Sequence, residues 1–484
     1  MKNANIAYLI AFILAFVSFK NSAMSHETAS IISKVLIAYG GDTLTSANSI
    51  KLVDYNKGPW PGESENPGLP EIWRINEELV IDFKNKRKSL LSYRVPRTTV
   101  DLEKWIFDGS KGIKYDILHK KYSNEDWVSY ENLGGSIIRS SDTMHAKQLH
   151  NEINEANYIR DEYFRGKVHQ KLEVTLKSGV KYTYFIDKQS GLIRKVRRHH
   201  PSASLVYVFS NHQMTDGLTY ASDMNFFVNS DLRLTSVLRK IELNPDLKKA
   251  FTKLSHYKAW GDTMDSTELM TQKLAEGIYQ IGINRSKTVF IEQDNHYIAV
   301  GGASALKDNY EELKKLTSNN KPLHHFVVTH HHRGNLSGLS IPIQLGAKLV
   351  VTKEHKETVA KSLTEPYTED NFIVIRDRKP FTLGNLILFD IPTAHSRHNL
   401  LAFSTKNKMI IAEEHYETDL VSAKPRIYKD MVTFGKALNS LNLDVEHLID
   451  TRSARKISIK EFTQWISDFE EKTCPVGYVI CSKG

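Results

Sequence analysis

Only two cysteines occur in 484 residues, Cys474 and Cys481, both within the last eleven positions. In an exported chain they suit one disulfide closing a small tail loop, and no histidine or further cysteine lies near enough to make them a metal site. Long apolar runs are as scarce. Beyond residues 6–19 there is none, so the chain after that point carries no integral membrane segment. It has no Gly-rich phosphate loop, no nucleophile elbow, no internal repeat and no low-complexity segment. The formal charge of +9 is scattered. Its one cluster, "LIRKVRRHH" at 192–200, has no interleaved aromatics and reads as a solvated strand end, which argues against a nucleic-acid partner.

What is present is ordinary globular composition, 40% hydrophobic and 25% charged, in a length that accommodates two to three domains. Residues 1–25 stand apart. Lys2 precedes an apolar run interrupted only by Tyr8 and Ser18, and Ala23-Met24-Ser25 supplies small residues for cleavage. This is the pattern of a secretory signal peptide, with an uncleaved anchor as the alternative. It predicts an exported protein, periplasmic or extracellular. The lack of a cysteine near the cleavage point speaks against a lipid anchor.

The pattern changes near residue 265. Before it, short alternating segments at 49–55, 78–84, 89–95, 104–117 and 171–198 predict antiparallel strands, with Ser178-Gly179 and Ser190-Gly191 as turns. A helix over 26–39 closes at Gly40-Gly41, and a second is expected over 143–158. Residues 26–230 thus read as an α+β layer, and 231–270 as a helical connector. From 271 to 473 strands alternate with amphipathic helices, which predicts two sheets packed face to face and covered by helices. Residues 474–484 form the tail.

Chemistry concentrates in "VVTHHHRGNLSG", residues 327–338. His330 and His332, two apart beyond a strand, fall on one side of the chain, and His331 falls on the other. His395 and Glu414 also follow apolar strands. Three neutral imidazoles and a water make the open tetrahedral zinc site used for hydrolysis, with a water pKa near 7. Glu413 competes with Glu414 by alternation. His398 and His415 flank these residues as donors behind the ligands, and His324-His325 read as structural.

Segment 270–465 resembles the metallo-β-lactamase fold superfamily. That family's first motif, T-H-x-H-x-D-H-x-G-G, stands here as Thr329 through Gly338. Its next ligand lies in the context seen at Ala394-His395-Ser396-Arg397-His398-Asn399-Leu400, and its bridging aspartate corresponds to Glu414. "KLAEGIYQIG" (273–282) and "GAKLVVTKEH" (346–355) follow the same style. The resemblance implies an αββα sandwich with metal ligands His330, His332, His395 and Glu414. It also implies loss of the second metal site, whose positions carry Gly334, Asn335 and Arg452. Arginine is a permanent cation that opposes a second metal, and an Arg452–Glu414 ion pair would replace that ion. The lost aspartate orients the attacking water in the family, which leaves Glu414 as the candidate for that role. More weakly, "YTYFIDKQSGLIRKV" (182–196) resembles periplasmic lipoprotein-carrier half-barrels over residues 30–230, implying a curved antiparallel sheet able to hold an apolar group. A scaffold or lid role stands beside that reading.

The expectation is an exported one-zinc hydrolase cleaving an ester, lactone, amide or related bond of a small molecule by zinc-bound hydroxide. The alternatives are a non-catalytic ligand- or partner-binding protein on a degenerate metallo-hydrolase scaffold, and a protein with one stabilising zinc. Fold does not name the substrate, and the oligomeric state stays open.

Overall fold

The computed structural model describes residues 24–96, 99–264 and 267–481. Apart from Met24 and Ser25, the signal segment lies outside the described residues. Among those described, no helix is long and apolar enough to cross a membrane.

The first helix, His26–Ala38, starts where the Ser25 side chain accepts the Thr28 N–H at 3.1 Å, satisfying one free donor of the first turn. Thr28, Ile31, Ile32 and Val35 recur at helical spacing and form its buried face. The helix stops before Gly40, whose φ is +117°. A Cβ there would lie 2.4 Å from the carbonyl oxygen of Gly217, so only glycine fits.

This helix and Asp142–Asn151 pack against a 14-stranded sheet whose apolar side joins them in one core. The sheet runs from Lys258–Ala259 at one edge to Ile153–Phe164 at the other. Every neighbouring pair is antiparallel except the one that Lys258–Ala259 makes with Lys121–Asn124. One hairpin matters for function. Ser49–Pro61 and Pro70–Asp82 pair from Ser49↔Asp82 out to Pro61↔Pro70, so residues 62–69 project beyond the end of the ladder.

Two expectations are corrected here. The helical connector over 231–270 begins instead as a strand, Asp231–Leu243, and its only helix among the described residues is the five-residue Leu247–Phe251. Its leucines, lysines and arginines favour helix intrinsically, but pairing with strands on both edges overrides that propensity. The helix expected over 143–158 ends at Asn151, because Ile153–Phe164 is a strand that hairpins with Lys167–Leu176. The turn between them is Arg165-Gly166, both at positive φ as a two-residue hairpin loop requires.

The C-terminal part is an αββα sandwich. A seven-stranded sheet and a six-stranded sheet face one another. Alternation along single strands builds the layers. In Thr288–Glu292, Val289 and Ile291 enter the core shared with Leu388, Leu400 and Ile411 of the other sheet. Phe290, between them, packs outward with Tyr310 and Leu313 of the helix Leu306–Thr317. On the far side, Phe434 of Lys429–Ser440 and Phe462 and Trp465 of Ile459–Ser467 cover the second sheet.

The two parts are tied together. Arg426 reaches Asp101 at 2.7 Å, Glu103 at 3.0 Å and Asp116 at 2.6 Å, all on the large sheet. Cys474 and Cys481 are bonded, with Cα atoms 6.1 Å apart. Between them, Ile480 is buried against Tyr55, Leu102 and Ile117, and Asn76 donates to its carbonyl at 2.8 Å.

Candidate metal centre

The strand Leu323–Val327 lies inside the seven-stranded sheet, between two parallel neighbours. Beyond its end, the Thr329 carbonyl accepts the Leu400 N–H at 2.8 Å, which fixes the chain over the opposite sheet. His330, His331 and His332 follow, all buried. His330 and His332 face the cleft. His331 turns away, its Nδ1 at 3.2 Å from His355 Nε2.

His395 sits on a loop after the strand Leu386–Ile391. Asn399 holds that loop by donating to the carbonyl of Ser396 at 2.6 Å and to Thr393 Oγ1 at 3.0 Å. Glu414 follows Met409–Ala412 with φ at +64°, a left-handed conformation that costs a non-glycine residue on the order of 1 kcal/mol or more. The Asp450 carboxylate braces this turn, accepting the N–H groups of His415 at 2.7 Å and Tyr416 at 3.2 Å.

These elements bring His330, His332, His395 and Glu414 together, with ligand atoms all within 4.8 Å of one another. Glu414 Oε2 lies 2.8 Å from His330 Nε2, 2.9 Å from His395 Nε2 and 3.5 Å from His332 Nδ1. Zinc–nitrogen bonds of about 2.0–2.1 Å in a tetrahedron separate ligand atoms by roughly 3.3 Å, so the spacing suits that ion.

The outward nitrogens determine which lone pairs face inward. His332 Nε2 meets the carbonyl of Ser64 at 3.0 Å, an acceptor only, so Nε2 carries the proton. His395 Nδ1 donates to Asp430 at 3.3 Å. His330 Nδ1 lies 3.0 Å from Thr329 Oγ1, a hydroxyl that donates onward to Glu413 at 2.7 Å, and 3.1 Å from Asn335 Nδ2. His332 and His395 are thereby fixed in the tautomer that a metal ligand needs. The inward atoms are three ring nitrogens and a carboxylate, and only a cation among them, a proton or a metal ion, reconciles them. His332 Nδ1, buried, has no hydrogen-bond partner among the described residues. The donor set fits a metal.

Electrostatics agree. Burial, with help from neighbouring imidazoles, holds His330 well below the usual histidine range, and burial also lowers His332. Burial opposes a charge on His395 too, but the carboxylates of Asp430 and Glu414 push it up to about 9. Burial raises Glu413 to about 7. For Glu414, the three imidazoles outweigh burial and hold the carboxyl well below its usual range.

The neighbouring position is filled by protein. Arg452 Nη1 contacts Glu414 Oε1 and lies 3.2 Å from Glu417, and Nη2 donates to Asn335 Oδ1 at 2.6 Å. A Cβ on Gly334 would sit 3.0 Å from Arg452 Nη2 and 3.8 Å from Glu414 Oε1. Gly334, Asn335 and Arg452 are thus one packed unit.

Sequence reasoning missed the wall contributed by the large sheet. The connection 62–69 reaches this cleft. Arg333 N–H donates to Gly62 O at 3.0 Å, Arg397 N–H donates to Glu65 O at 3.0 Å, and Glu63 Oε2 stands 3.7 Å from His332 Nδ1. Burial and the charge of Glu414 raise Glu63 to about 7. "PGESENPG" (61–68) reads as a turn, and nothing local says what its carboxylates approach. Asp430 was missed for the same reason. Of the flanking histidines, His415 stacks on Phe434 with centroids 4.4 Å apart, and His398 turns away to Asp390 at 2.7 Å.

No protein-family model matches the chain, and no curated protein matches it. Among solved structures it is similar to a metallo-β-lactamase from Hirschia baltica, at 14% identity over 42% of this chain and 97% of that one, with a TM-score of 0.33. It is similar to the mono-zinc form of the metallo-β-lactamase FIM-1 from Pseudomonas aeruginosa, at 15% identity over 42% and 96%, with a TM-score of 0.34. A metallo-β-lactamase from Pontibacter korlensis is similar at 14% identity over 41% and 98%, with a TM-score of 0.33.

Proposed function

We propose that the chain is an exported metal-dependent hydrolase on a metallo-β-lactamase-like scaffold, holding one zinc per chain and cleaving an ester, lactone, amide or related bond of a small molecule. One observation carries the reading: the inward nitrogens of His330, His332 and His395 converge with Glu414, with His332 and His395 each fixed from behind by its own acceptor. Zinc held there supplies Lewis acidity toward water and a scissile carbonyl at near-neutral pH.

The chain's own residues divide the remaining work. Glu414 would be the fourth donor, its second oxygen held by Arg452, in a site that must expand to five positions for water to enter. Arg452 supplies fixed positive charge where the family places a second ion, positioned to stabilise charge that develops on a substrate oxygen. Gly334 carries no carboxylate to orient water. Glu63, on the opposite wall of the cleft, is the carboxylate placed to take that role.

A second reading, a ligand-binding protein without turnover, is favoured by one feature. Glu414 Oε2 already lies among the three inward nitrogens, so a proton shared there satisfies the cluster. Metal analysis separates the two. The purified chain, dialysed against zinc, should retain one tightly held ion that depends on this cluster, and His330→Ala and His395→Ala should each lose it. A panel of chromogenic esters, lactones, amides and β-lactams should then show turnover that chelation abolishes. Zinc without turnover supports the second reading, and failure to bind zinc at this cluster sinks the first.

A further inference from the structure

A second cluster of ligand-type side chains lies on the far side of His331. Asp390 is the penultimate residue of the strand Leu386–Ile391, His398 precedes the strand Asn399–Ser404, and Glu354 stands in the first turn of the helix Lys353–Ser362. His398 Nδ1 is 2.7 Å from Asp390 Oδ2 and 3.6 Å from Glu354 Oε2, and one ligand atom from each residue lies within 4.8 Å of the others. The depth is graded: the Asp390 side chain is 3% exposed, His398 18% and Glu354 41%, so the cluster opens to solvent on one side.

Independently of that spacing, Asp390 Oδ1 is buried and has no hydrogen-bond partner among the described residues. A buried, unpaired carboxylate oxygen is costly unless a cation meets it. Arg378 supplies charge only at a distance, with Nε 3.9 Å from Asp390 Oδ2, while its Nη2 donates to the Arg397 carbonyl at 2.9 Å. Two carboxylates thus face one guanidinium, which stands off from them.

We propose that Glu354, Asp390 and His398 form a second, solvent-open zinc site, distinct from the centre at His330, His332 and His395. One imidazole and two carboxylates with water completing the shell are a ligand set that zinc accepts. The step is a proton relocation. His398 Nδ1–H, which now donates to Asp390, gives up that proton while Nε2 gains one, and the ion takes the place between nitrogen and carboxylate. The site does not depend on whether the first centre turns over substrate.

The test is zinc binding by the full chain, with zinc alone as the probe and a chromogenic chelator in competition. Wild type should bind two classes of ion. His398→Ala should lose one equivalent and keep the ion lost in His330→Ala. Glu354→Gln alters an exposed side chain and so spares folding; it should weaken the second class by about tenfold or more, a scale that even outer partners of metal ligands reach. Additivity completes the design: His330→Ala combined with His398→Ala should bind no zinc. If His398→Ala and Glu354→Gln both bind zinc as wild type does, the proposal falls, whatever His330→Ala shows. If wild type binds a single ion that His398→Ala removes and His330→Ala retains, this site stands and the first centre requires revision.

Discussion

Arg452 and Gly334 occupy complementary halves of one space: the guanidinium Nη2 lies 3.0 Å from where a Cβ on Gly334 would be. A side chain at 334 and the guanidinium compete for it. The cation also neutralises Glu414 and engages Asn335 and Glu417, so the exchange covers charge as well as volume.

The exchange should be reversible in steps. Gly334→Asp alone is expected to pair with Arg452 and leave zinc stoichiometry unchanged. Gly334→Asp with Arg452→His should raise the ions bound near His330 by one per chain, read by metal analysis in a His398→Ala background. A double variant that binds no additional zinc would show that these two positions alone do not make a second site.

Removing the cation alone should be costly. Arg452→Ala leaves Glu414 Oε1 without its cation at a largely buried site, and loss of about 3 kcal/mol of stability is expected. Urea melts of wild type and variant measure it. A loss below about 0.5 kcal/mol, the scale of exposed pairs, would mean that solvent screens the group.

Glu63→Gln keeps the size of the side chain and removes its charge. Zinc content should stay as in wild type, since Glu63 is outside the ligand cluster, while kcat on a hydrolysed substrate should fall about 10²-fold or more with little change in KM. Unchanged kcat would remove Glu63 from the proposed chemistry.

His145 gives a pH signature far from the metal. It is fully buried beneath the large sheet, with Nε2 3.0 Å from the Arg139 carbonyl and Nδ1 3.2 Å from the Tyr184 hydroxyl. Burial lowers its pKa to about 4. Between about 6.5 and 4 the unfolded chain binds a proton that the folded chain refuses, so stability falls as pH falls through that window, by about 3 kcal/mol in all. His145→Gln should flatten the slope of folding free energy between pH 6.5 and 4. An unchanged slope would assign the acid sensitivity to other buried histidines.

Much of the centre was legible because its ligands sit at strand ends, where side-chain alternation is simple. His330 and His332 fall on one face and His331 on the other. His395 and Glu414 end apolar runs, and the resemblance assigned Gly334 and Arg452. Glu413 and Glu414 were harder, since alternation allowed only one of them; the positive φ at Glu414 breaks it, and both reach the cluster, Glu414 beside the imidazoles and Glu413 behind Thr329. Ser64 and Asp430 were out of reach. Ser64 meets His332 across 268 residues, through a turn whose composition says only that it turns. The strand Asp231–Leu243 was misread because its helical propensity is real and one of its two partner strands, Ser49–Pro61, is distant in sequence.

The turn at 62–69 carries a practical consequence. It caps the His332 ring and the first N–H of the helix Arg333–Leu336 with backbone carbonyls from the large sheet. A fragment beginning near residue 267 would keep all four ligands yet present His332 Nε2 and that N–H to water, with the tautomer of His332 no longer imposed. The C-terminal half expressed alone would therefore contain the ligands without the protein's own site.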